Sequence, residues 1–246
     1  MAATLARRAG LFVPAPRVWR VEGRALVAAE AAPLELQPPI DPQVAMYEPV
    51  LRAAGCDVVV EHGRLVGEVL GLEVVRVALV DGGPRFEVGV GRFDREAHAE
   101  LAGGGDPSPE TLERVVRFVS ERRGAGAPGT PLQRLAPERR LRSWLVGEPG
   151  LVGADRLEPV APVGDPTLRT PAPAAALGTA DGAPVVVVAS TGVDLDLVPE
   201  AADVRQRDAP DARLVLALAP RDASPTTRDL ASALRTPADV VEVDLA

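Results

Sequence analysis

Lysine is absent from this chain: all 27 basic residues among its 246 are arginine. Any mechanism built on a lysine Schiff base, a phosphate-loop lysine or a lysine beside a catalytic metal is therefore excluded. Cysteine occurs once, at Cys56, so no internal disulfide can form, and Cys56 does not combine with His62 and His98 at zinc-finger spacing. A reducing, cytoplasmic setting is expected. Aromatic residues make up only 3% of the chain, which leaves few stacking platforms for single-stranded nucleic acid and assigns the core to Val, Leu and Ala. No apolar run approaches the length of a membrane span. The opening MAATLARRAGLFVPAP carries Arg7 and Arg8, but its apolar stretch before Pro14 is too short for a signal-peptide core.

What is present is enough to fold: 46% hydrophobic and 25% charged residues. The excess of Arg, Ala, Gly, Pro and Val reads as GC-rich coding. Charge is divided unevenly, with 19 acids and 19 arginines up to Leu145 and 16 acids against 8 arginines from Val146 onward. The net charge of −8 thus lies in the second half, which would repel a phosphate backbone. Arg122, Arg123, Arg134, Arg139, Arg140 and Arg142 crowd the middle of the chain. They are the candidates for contacting DNA, or else a solvated helix face with a charged linker.

The clearest break is GAGAPGTP at Gly124–Pro131, which predicts an N-terminal β-rich α+β domain over 1–123, a linker over 124–131 and a C-terminal α/β domain over 132–246. In the first domain a hairpin is expected over Arg17–Ala29 and a helix over Asp41–Ala54, capped by Asp41 and closed by Gly55. Strands are expected at Cys56–Glu61, Leu65–Val69, Leu72–Val80 and Arg85–Gly91, followed by a short helix at Asp94–Leu101 and a helix from Ser108 to Arg123. In the second domain a helix over Ala136–Val146 precedes a two-strand segment, Ala174–Thr191, turning at Asp181-Gly182. Helix Pro199–Arg207, strand Arg213–Leu218, helix Ser224–Leu234 and strand Val240–Leu245 complete one sheet flanked by helices.

From Glu138 to Asp244 the chain resembles the C-terminal nuclease domain of the mismatch-type endonucleases of archaea and actinobacteria, a branch of the PD-(D/E)XK superfamily. The matching phrases are EPGLVG at Glu148–Gly153, the Asp181-Gly182 turn leading into Val185–Ser190, and the tail LVLALAPRDASPTTRDLASALRTPADVVEVDL. The resemblance implies a restriction-endonuclease-like mixed sheet and a site where an Asp and a Glu hold Mg²⁺ or Mn²⁺ beside a Lys. Carried over, the Asp falls at Ala174, the Glu at Val188 and the Lys at Ser190, and none can perform the role. The expected function is therefore a catalytically inactive nuclease-fold protein that serves as a binding or scaffolding module, without cofactor or metal.

Two other sets of carboxylates keep an enzymatic alternative open, a divergent Mg²⁺- or Mn²⁺-dependent endonuclease. Asp194 and Asp196 would share a face if the preceding strand continued, with Glu200 next in line; as turn and helix-start residues they carry no such role. Glu73 and Glu87 flank the Asp81-Gly82 turn and could face each other across an antiparallel pair, unless Arg76 or Arg92 intervenes. A third reading is a protein-interaction subunit unrelated to nucleic acid. Gly89–Asp94, GVGRFD, lacks the further glycine of a dinucleotide fingerprint, and His98 reads as a surface or core histidine.

Overall fold

The computed structural model of the chain describes residues 1–91, 109–124, 126–127, 129–163 and 172–244. The expected helix at Asp94–Leu101, with His98 and Arg92, lies outside these residues, as do Ser108 and Leu245. The architecture is mixed α/β, and the described residues form three sheets: a two-stranded ribbon, a four-stranded antiparallel sheet and a five-stranded mixed sheet.

The chain opens with a helix the sequence reading passed over, α1 (Ala2–Ala9), whose last turn holds Arg7 and Arg8. The expected hairpin forms as β1 (Trp19–Glu22) and β2 (Ala25–Ala28). The helix expected over Asp41–Ala54 is instead two, α2 (Pro42–Ala45) and α3 (Glu48–Ala53). Pro49 accounts for the break, since it has no N–H to donate to the Ala45 carbonyl and its ring would strike it. Asp41 caps as expected, accepting from the Gln43 N–H at 2.8 Å.

Next comes a meander of β3 (Asp57–Glu61), β4 (Arg64–Val69), β5 (Leu72–Val80) and β6 (Gly83–Val88), paired in that order. Its turns, His62-Gly63, Leu70-Gly71 and Asp81-Gly82, have positive φ at both residues, the conformation whose twist matches a tight hairpin. Because the last turn has only two residues, Gly83 and Pro84 already pair with Val80 and Leu79, and β6 begins before the expected Arg85. Pro84 is accommodated on an edge strand.

Helix α4 (Pro109–Arg123) lays Leu112, Val115, Val116 and Val119 over this sheet, against Leu51, Leu65, Leu72 and Val75. Leu132 and Leu135 pack onto the same core. The Thr130 hydroxyl, in the segment expected as a linker, donates to the Arg122 carbonyl at 2.9 Å.

The second half runs α5 (Pro137–Gly147), β7 (Arg156–Val160), β8 (Ala174–Ala180), β9 (Ala183–Ser190), α6 (Leu197–Asp208), β10 (Arg213–Leu218), α7 (Pro225–Ala233) and β11 (Ala238–Glu242). The sheet order is β11-β10-β9-β8-β7, with β9, β10 and β11 parallel and β7, β8 and β9 antiparallel. Helices α6 and α7 cover one face, meeting Ala175, Val186, Val188, Leu214 and Leu216, while α5 covers the other, meeting Ala176, Val187, Ala189 and Val215. Burial on both faces explains why Val185–Val188 is an unbroken valine run rather than an alternating one. Strand β7 was not read from the sequence; Pro159 interrupts it, which only an edge strand tolerates.

The first residues of the chain pack with this second core. Leu11 and Phe12 join it, Phe12 bridges Leu234, and the Val13 N–H donates to the Ala233 carbonyl at 2.8 Å. Among the described residues, no helix is long and apolar enough to cross a membrane.

Candidate functional site

The β8–β9 hairpin pairs Ala174 with Ala189 and Ala175 with Val188. Side chains directly opposite share a face, so Val188 and Ser190 look toward α6 while Ala174 looks toward α5. The three positions carried over from the nuclease resemblance are thus split between the two sides of the sheet, and all three are buried. Ala175, which does face Val188, adds only a methyl group. Around the Ala175–Val188 pair the lining is hydrocarbon.

Beyond β9 the strand does not continue, so Asp194 and Asp196 do not alternate onto one face. Asp194 instead accepts from the Asp196 N–H at 2.9 Å, a local turn. The acids that follow are met by α1. Arg8 reaches Asp196 at 3.5 Å, Glu200 at 3.1 Å and Asp203 at 2.8 Å, and Arg7 also binds Asp203, which is fully buried. Burial pushes the Glu200 carboxyl above its ordinary range, although Arg8 pulls the other way. Two acids missed by sequence reasoning sit close by. Glu138 accepts from the Thr191 hydroxyl at 2.6 Å, and Asp222 from the Gly192 N–H at 2.8 Å, tying the exit of β9 to α5 and to the loop after β10.

Glu73 and Glu87 do not face each other. The two-residue turn sets the register so that Glu87 opposes Arg76, while Glu73 opposes Glu68 on β4. Arg76 donates to Glu73 from Nε at 3.0 Å and from Nη2 at 3.1 Å, so an arginine meets this carboxylate.

The arginine cluster is largely turned inward. Arg123, buried, donates to the carbonyls of Leu70, Leu132, Leu135 and Ala136, stitching the end of α4 to the β4–β5 turn and to the start of α5. Arg139 bonds Glu68 at 2.5 Å and Glu61 at 3.0 Å, and Arg142 also binds Glu68. Burial would raise the Glu68 carboxyl, but Arg142 and Arg139 outweigh it and hold it below the usual range. Glu61 is pushed up, by burial first and by Glu68 in part, against Arg139. The neighbouring Cys56 thiol is pushed up to about 12 by burial, with Asp57 and Glu68 adding to the effect, so it is no nucleophile. Of the six candidate arginines, Arg122 stacks on Phe118 at 3.8 Å, Arg140 donates to the Gln133 carbonyl at 3.3 Å, and Arg134 is exposed. This cluster joins the two sheets through α5, and neither Glu61 nor Glu68 was singled out from the sequence.

Beside that junction a cleft of about 500 Å³ opens between β3 and β7. Val58 and Val60 line one wall, Pro159, Val160 and Leu177 the other. Its charged groups are already engaged: Arg52 with Glu48 at 2.9 Å, and Arg207 with Asp208 at 2.7 Å and with the Ala161 carbonyl at 2.6 Å. Among the described residues, no group of three or more His, Cys, Asp or Glu side chains is placed to hold a metal ion.

Comparison of the chain with protein-family models, with curated proteins and with solved structures returns no match.

Proposed function

We propose that this protein is a non-catalytic binding or scaffolding module whose second half is a nuclease-like sheet with its chemistry removed. The order α5, strand, β8–β9 hairpin with an Asp-Gly turn, strand, helix and final strand supports the likeness to the PD-(D/E)XK domains named above. The observation that carries the loss of catalysis is the clasp of Arg7 and Arg8 on Asp196, Glu200 and Asp203. Arg7 and Arg8 neutralise the acids at the start of α6, Glu138 and Asp222 at the exit of β9 are engaged by the Thr191 hydroxyl and the Gly192 N–H, and the hairpin interior is apolar.

The partner this reading favours is a protein. Arg123, Arg139 and Arg142 are engaged with carbonyls and carboxylates of the same chain, so they have little left to offer phosphates, and the net charge is −8. Calorimetric titration with Mn²⁺ and Mg²⁺, run beside cleavage assays on single- and double-stranded DNA, tests the proposal. No saturable binding and no cutting are expected; saturable binding with strand scission overturns it. DNA affinity that falls steeply with salt and is lost on Arg122→Glu or Arg134→Glu would return nucleic acid as the partner.

A further inference from the structure

The β1–β2 ribbon stands apart from both cores. Every residue from Trp19 to Ala28 is exposed, with Trp19 at 50%, Val21 at 70% and Leu26 at 66%. The register pairs Trp19 with Ala28 and Val21 with Leu26, so these four share one apolar face, while Arg20, Glu22 and Val27 occupy the other. No third strand joins the ribbon among the described residues. A lone two-stranded hairpin of this kind is only marginally stable in water and offers open edges for pairing.

The hydrogen-bond phase of the ribbon shows which groups point outward. The Ala29 N–H donates to the Val18 carbonyl at 2.9 Å, making that pair a bonded one. Bonded and non-bonded pairs alternate along an antiparallel ladder, so Arg20 and Glu22 turn their backbone groups toward β2, and Trp19 and Val21 turn theirs to the free edge. The free edge of β1 reads Trp-Arg-Val-Glu. Laid antiparallel against a second copy of itself about Val21, it sets Val21 opposite Val21 as a bonded pair and Arg20 opposite Glu22 twice, at the non-bonded positions where side chains come closest. Centring instead on Arg20 would oppose two like charges. The other edge, Ala-Leu-Val-Ala, carries no charge to select a register.

From this self-complementary edge we infer that the ribbon is a homodimerisation arm: β1 of one copy pairs antiparallel with β1 of a second about Val21, making a continuous four-stranded sheet. The inference is independent of whether the second half cleaves nucleic acid. Within one chain Arg20 and Glu22 already bond at 2.5 Å, and in the dimer each acquires the partner copy's opposite charge in addition.

Sedimentation equilibrium of the full chain at sub-millimolar concentration tests it. The wild type is expected to show a concentration-dependent dimer, and Arg20→Glu and Glu22→Arg, each alone, to remain monomers because two like-charged contacts replace two attractive ones. An equimolar mixture of the two variants is expected to recover the dimer, since a chain with two acids then meets a chain with two arginines. That recovery cannot come from the local Arg20–Glu22 bond, which both variants lack, so it separates pairing from mere folding of the ribbon. A monomeric wild type, a dimer insensitive to either reversal, or a mixture that stays monomeric overturns the inference.

Discussion

At Glu68 burial and pairing pull against each other, and pairing wins. The carboxylate is almost wholly buried and is held by Arg139 and Arg142 from a helix more than seventy residues away in sequence. Arg142 Nε and Nη1 find no hydrogen-bond partner among the described residues, so the charge of that side chain depends on Glu68. Glu68→Gln should therefore destabilise the fold by about 3–5 kcal/mol, the cost of leaving a buried charge unpaired, measurable by urea unfolding. Glu61 has the opposite sign. Its folded-state pKa lies above the unfolded one, so its stabilising effect is full below the unfolded value and is lost as pH rises through the folded value. Glu61→Gln, which fixes the neutral form, should gain stability relative to the wild type as pH rises above the ordinary carboxylate range, read from melts across that transition. For Glu68 the lowered pKa makes stability fall as pH drops below the ordinary carboxylate range.

At the scale of elements, local signals and long-range contacts divide the work. Ser224 caps α7 by accepting from the Thr227 N–H at 3.1 Å, a role readable from Ser-Pro before an apolar period. Ser224→Ala should cost about 1 kcal/mol in the same unfolding assay. Gly71 is different. Its φ of +75° suits the β4–β5 turn, but an added Cβ would also run into the Arg139 carbonyl at the start of α5. Gly71→Ala should therefore cost more than the capping change and more than the about 1 kcal/mol of backbone strain alone. The Asp-Gly turns, the caps and the valine strands were legible because each is decided within a few residues. The break at Pro49 was legible in principle but was overridden by the apolar spacing on either side. Strand β7 was not legible, because a proline-bearing edge strand has weak alternation and exists only by pairing with β8.

At the scale of the molecule, α1 closes the second core from outside. Arg7 and Arg8 converge on Asp203, while Arg235 donates from Nε to the Gly10 carbonyl at 2.7 Å. Asp203→Asn removes the buried negative charge shared by Arg7 and Arg8 and turns one of its two acceptors into a donor, and a loss of about 2 kcal/mol is expected by thermal or urea unfolding. If α1 is the clasp described, amide exchange should rise in residues 2–13 of that variant before it rises in β9 or β10. Exchange rising uniformly would assign Asp203 to the core alone.

Composition and spacing established the α/β class, the valine-built sheet of the second half and the lack of carboxylates at the hairpin, because hydrophobic periodicity and residue identity are properties of neighbours along the chain. Which arginine meets which acid is a different matter. Arg139 finds Glu68 and Arg8 finds Asp203 through the docking of helices distant in sequence from their partners. Ion pairing acts over a few ångströms of space, whatever the separation in sequence, so folding alone set those partnerships and turned inward arginines that the linear order had presented as a surface.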